Sequence, residues 1–278
     1  MAMVADRREY LAALIDMVRV YDPHLAPQWA DRLAEAVEPI ELGARRQAVI
    51  QAALDAMVHP AMAVIVAHME QAFDAGSNVA ELLEAVVTVG NMESGVHGIH
   101  DGIEALGNAI DQREGRGAPV PREGDPLGPR ERIGRIWHEP ARFPGEIPMR
   151  HPGILEKYDP DLWLAFEQWN DACLELRHGL TRKMEEFLFV AVDSMIRWPI
   201  PLLDRHMHAA FEVGATVQEL LEVVMTCATA DQGARESNIA GRQLVGGPEI
   251  VRYALGALDR VIAERTELGL AAPDRSLN

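Results

Sequence analysis

A chain of 278 residues, 48% of them hydrophobic, is long enough for one large domain or two ordinary ones and apolar enough for a substantial core. Its formal net charge of -17 argues against a nucleic-acid partner, which needs clustered Lys and Arg, and against an anionic membrane surface. The simplest reading of the acidity is solubility.

The N-terminal stretch MAMVADRREYLAAL carries charges too early for a signal peptide, and no apolar run reaches membrane length, so a cytoplasmic location is expected. From there the pattern is helical nearly throughout. A first helix follows Tyr21-Asp22-Pro23, and a second begins near Arg45, where RRQAVIQAALDAMV spaces its apolar residues by three and four. A third, VAHMEQAFDAG, carries His68 and stops at Gly76, a glycine suited to a left-handed cap. Asn78 or Ser77 then caps a fourth helix, with Glu81 three residues after Asn78 in capping-box position, and a fifth begins after Gly95. Residues 113–153 concentrate glycine and proline and cannot form a long helix, so they read as an extended linker.

Beyond the linker the same order recurs. Tyr158-Asp159-Pro160 precedes a first helix and Arg182 opens a second. DRHMHAAFEVG carries His206 to Gly214, Thr216 and Glu219 form the next cap, and the fifth helix is expected after Gly233. A constant offset of 138 brings Asp55 onto Asp193, Met57 onto Met195, His68 onto His206, Phe73 onto Phe211, Gly76 onto Gly214, and ELLEAVVT onto ELLEVVMT. The expectation is an all-α fold of two tandem helical bundles, residues 1–112 and 154–278, joined by the linker 113–153.

Residues 180–233, LTRKMEEFLFVAVDSMIRWPIPLLDRHMHAAFEVGATVQELLEVVMTCATADQG, resemble the carboxymuconolactone decarboxylase and alkylhydroperoxidase-D-like superfamily. The likeness rests on the Thr-Arg-Lys helix start, the histidine in a small-residue helix, the AAFEVGAT turn and QELLEVVMTCA; residues 44–95 match more weakly. The resemblance implies helical bundles of the alkylhydroperoxidase-D type that assemble with sites near subunit interfaces, and hence a homodimer or homotrimer of this chain. The peroxidase branch of the family carries Cys-x-x-Cys-x-x-x-His with a glutamate upstream. Here those cysteine positions are Pro199 and Leu202 in one half and Ala61 and Val64 in the other, and the glutamate position is Phe187 or Val49. The chain's two cysteines, Cys173 and Cys227, lie far apart and in no CxxC pattern, so neither a peroxidase nor a zinc site is expected.

The decarboxylase branch keeps the histidine alone, and WPIPLLDRHMHAAFEVG is similar to that context. It implies a cofactor-independent lyase or isomerase for a small unsaturated carboxylic acid or lactone, with His206 as acid/base. His208 and Arg205 are further candidates there, His68 is the counterpart in the first half, and Arg197 and Trp198 are candidate substrate binders. Glu93 and Asp231 hold a carboxylate near the glycine before each fifth helix, as a cleft residue or a charge on the helix dipole. Asp204, His208 and Glu212, four apart, read equally as a solvated ion-pair face. His97, His100 and Asp101 fall on adjacent turns and could bind a metal, which is a third reading; the plain one is surface histidines, and no metal or other cofactor is expected. The rival readings are a buried, satisfied core histidine and a non-catalytic binding or structural subunit of the same fold.

Overall fold

The computed structural model describes residues 41–58, 61–91, 95–113, 180–197, 200–230 and 247–270, with short pieces among 15–33, 161–168 and 238–243. The fold over these residues is all-α. In chain order the helices are α1 (Gly43–Val58), α2 (Met62–Asp74), α3 (Val79–Val89), α4 (Gly95–Gln112), α5 (Arg182–Ile196), α6 (Ile200–Glu212), α7 (Val217–Thr229) and α8 (Gly247–Glu267). A two-residue antiparallel ladder, β1 (Asn238–Ile239) with β2 (Arg242–Gln243), pairs Asn238 with Gln243 and Ile239 with Arg242. No helix among the described residues is long and apolar enough to cross a membrane. The linker expected at 113–153 lies outside the described residues, apart from Arg113 at its start.

Local chemistry sets the helix ends. Asn78 accepts from the Glu81 backbone N–H while Glu81 answers to the Asn78 N–H, and Thr216 and Glu219 do the same at α7. Each such cap satisfies two backbone donors that a helix start otherwise leaves open. At the other end of the preceding helices, Gly76 and Gly214 sit at φ 91° and 84°, backbone that a Cβ strains. Arg197 adopts φ 50°, ψ 52° after α5 without being glycine.

One expected boundary moves. The last helix of the second half begins at Gly247, not after Gly233. The offset between Gly95 and Gly247 is 152 where it was 138 upstream, because the β1–β2 segment is inserted between α7 and α8. The new offset persists in the packing. The Arg113 guanidinium lies 5.3 Å over the Phe73 ring, and Arg265 lies 5.3 Å over Phe211.

Helix α5 is buried nearly all round. Phe187, Leu188, Val190, Ala191 and Val192 are sealed, and α1, α3, α6, α7 and α8 all pack against it. A helix apolar on every face belongs in the middle of a protein. The two halves meet there through reciprocal contacts. Glu222 Oε2 on α7 accepts from the Leu42 backbone N–H at 2.7 Å, and Glu84 Oε2 on α3 accepts from the Leu180 N–H at 3.0 Å. Residues 42 and 180, and 84 and 222, are related by the same 138. Glu222 also accepts from the Glu41 N–H at 3.3 Å and the Gln218 amide at 3.2 Å. Deleting its carboxylate leaves buried donors without acceptors. Glu222→Ala is therefore expected to cost about 2–3 kcal/mol in urea denaturation, and Glu84→Ala less because Glu84 is half-exposed.

Candidate functional site

The second half builds its site on two helices. Thr181 accepts from the Met184 N–H and starts α5, which brings Arg182, Glu186 and Asp193 onto one side at four- and seven-residue spacing. Helix α6 crosses α5 and delivers His206. Its Nδ1 stands 3.0 Å from Glu186 Oε2, and the other oxygen of Glu186 takes Arg182 Nη2 at 2.9 Å. The Phe189 ring lies 4.6 Å from the imidazole, tilted by 46°. The Glu186 side chain is 1% exposed and the His206 side chain 12%. A carboxylate at Nδ1 fixes the tautomer with the proton on that nitrogen, which leaves Nε2 as the basic atom. The ring is thus neither a sealed core residue nor a surface one.

Asp193 completes the group. It is 1% exposed, and neither carboxyl oxygen has a hydrogen-bond partner among the described residues. Burial pushes its carboxyl up to about 7, with the His206 charge pulling the other way and Glu186 adding to the rise. A buried acid that stays protonated near neutrality beside a histidine is the kind of perturbed group that acid/base sites contain.

The first half solves the same problem differently. His68 Nδ1 bonds directly to Asp55 Oδ2, and Gln51 Nε2 donates to Asp55 Oδ1 at 3.0 Å. Asp55 is sealed and the His68 side chain is 24% exposed. Position 48, which matches Glu186, is alanine, and position 51, which matches Phe189, is glutamine. The two matched histidines, His68 and His206, thus each rest on a carboxylate, but it comes from different positions of α1 and α5.

The remaining candidates separate. His208 is not on a solvated face: it is 1% exposed and its Nε2 lies 3.1 Å from Glu264 Oε2 on α8. Two residues from His206, it points to the opposite side of α6, and burial holds its imidazole below the usual histidine range despite Glu264. Asp204 likewise turns to α8, where Arg260 binds it through Nε at 3.2 Å and Nη2 at 2.9 Å. Asp204 and His208 thus bond across to α8, and their i, i+4 spacing adds a charge interaction between the two. Arg205 is half-exposed, and Arg197 is exposed at the end of α5. Trp198, Glu93 and Asp231 lie outside the described residues. His100 is exposed and 3.5 Å from Asp101; nothing among the described residues groups three metal-ligating side chains.

A carboxylate does reach His206, from beside the family's glutamate position. Position 187 is a sealed phenylalanine, and the neighbouring Glu186 reaches the ring instead. The cysteines remain absent from the positions before His206. Cys227 is sealed in α7, its thiol hydrogen-bonded to the Val223 and Ala191 carbonyls and pushed far above the usual thiol range by burial. A thiol so held is inert.

No protein-family model matches the chain, and no curated protein does. A crystal structure from Burkholderia xenovorans LB400, provisionally named a gamma-carboxymuconolactone decarboxylase subunit, is similar at 22% identity and a TM-score of 0.43, over 95% of this chain and 96% of that one.

Proposed function

We propose that the chain is a cofactor-independent lyase or isomerase for a small unsaturated carboxylic acid or lactone, with decarboxylation as its leading reaction and His206 as the acid/base. The observation that carries this reading is the Glu186–His206 pair, with Nδ1 anchored on a buried carboxylate and the ring edge within reach of solvent. The resemblance of residues 180–233 to the decarboxylase branch supports it.

The chemistry needs no electron sink beyond the substrate. When the bond between the lactone carbon and its carboxylate breaks, carbon dioxide leaves and the electron pair delocalises into the conjugated lactone carbonyl. His206, protonated at Nε2, returns a proton to carbon and regains one from water. Glu186 stabilises the imidazolium form, and Arg182 holds Glu186 in place. Arg205, on the adjoining face of α6, is the proposed binder of the substrate carboxylate. His208 drops out of that role because it is spent on Glu264. We read the two halves as copies of one duplicated helical unit, supported by the reciprocal contacts of Leu42 with Glu222 and Leu180 with Glu84. The second copy is the active one in this reading.

The test is a substrate screen with gamma-carboxymuconolactone and related carboxylated butenolides as probes, followed by NMR in deuterated water. The expected result is catalysed loss of carbon dioxide or migration of the double bond, with one deuterium at the carbon that receives the proton. Absence of both reactions with every carboxylated lactone sinks the reading.

A further inference from the structure

Asp193 is a buried carboxyl with nothing among the described residues bonded to either oxygen, and such groups are rare in folded proteins. It stands two turns after Glu186 on the same side of α5, within reach of the His206 charge. Its counterpart 138 residues earlier, Asp55, is bonded to His68 Nδ1.

We propose that Asp193 is a positioning residue for His206: a second carboxylate acceptor that takes over the ring's Nδ1–H when it ionises, as Asp55 holds His68. The inference deepens the reading of His206 as an acid/base and rests on it for its catalytic meaning.

Three features fit. Glu186 has a second partner in Arg182, so its charge is compensated when the imidazole leaves it. Asp55 is steadied by Gln51, whereas the matching residue in the second half is Phe189, which lies against the His206 ring and leaves the carboxyl of Asp193 unbonded. The charged groups that act on Asp193 are His206 from α6 and Glu186 from its own helix; among the described residues α1, α3, α7 and α8 bring none to it. With Asp193 protonated, Glu186 alone holds the ring. With Asp193 ionised, the ring keeps an acceptor at Nδ1 whichever carboxylate it faces, and Nε2 stays the working nitrogen over a wide pH range.

The experiment is a pH titration of nitrogen-15-labelled histidine in the intact protein, with the His206 signals assigned by their loss in His206→Gln. In the Glu186→Gln protein, His206 is expected to keep the Nδ1–H tautomer above neutrality. In the double variant with Asp193→Asn, that tautomer is expected to give way to a mixture. Asp193→Asn alone is expected to change the His206 nitrogen shifts above about pH 7, where the native carboxyl has ionised and takes a share of the Nδ1–H. Loss of the tautomer in Glu186→Gln alone overturns the proposal. A His206 titration in Asp193→Asn that superimposes on the unaltered protein does so too, and this comparison stands if Glu186→Gln does not fold. No substrate is involved, so failure of the lyase reading and failure of this inference are separately visible.

Discussion

His206→Gln is expected to lower turnover of a carboxylated lactone by about 10²–10⁴-fold, the range that a positioned general acid/base contributes. The glutamine keeps a donor for Glu186 and a similar volume, so the melting temperature should move little while the rate collapses. His68→Gln is the matched control. His68 sits in the same place on α2 as His206 on α6, on its own carboxylate, so loss of either ring perturbs the packing alike. With the reaction assigned to the second half alone, His68→Gln should leave the rate within a few-fold. Initial rates of both variants check this. Equal losses would mean that both halves work, and no loss in either would rule out histidine chemistry.

The second large effect is on stability, and its sign follows from Asp193. Its carboxyl is pushed up to about 7 from an ordinary 3.8, mainly by burial. Between those two values the folded state binds more protons than the unfolded state, so stability falls as pH rises. The protonated form's contribution is intact below about pH 4 and has been lost once the pH exceeds the folded value. Asp193→Asn mimics the neutral acid and cannot ionise. It should match the unaltered protein near pH 4 and exceed it above pH 7 by on the order of 3–4 kcal/mol. Melting curves at about pH 4.5 and 8 check this. A variant less stable than the unaltered protein at the higher pH would mean that the native carboxylate is ionised and well paired.

What can be read from the sequence depends on range. Asn78 with Glu81 and Thr216 with Glu219 are legible because a capping box is a three-residue relation along one chain segment. The glycines that end α2 and α6 are legible for the same reason. The carboxylate partners of the histidines are not, since Glu186 and Asp55 reach the rings from another helix, 20 and 13 residues away. A signal is present in EEFLFVAVD: acids at 185, 186 and 193 bracket a stretch that is apolar between them. Acids in a fully buried helix need partners or a function. The solvated-face reading of His208 fails because spacing along α6 says nothing of α8, which arrives through Glu264 and Arg260. The expected start of α8 fails because the 138 offset does not survive the inserted β1–β2 segment.

Catalysis by His206 requires that its Nε2 meet the carbon that is protonated. A crystal structure with a saturated lactone acid, which binds as the substrate does but offers no conjugated sink for the electrons, tests this most directly. The lactone is expected beside α6, with the relevant carbon about 3–3.5 Å from Nε2 and the ring still on a carboxylate at Nδ1. A lactone bound away from His206, with Nε2 closed off by protein, would contradict it.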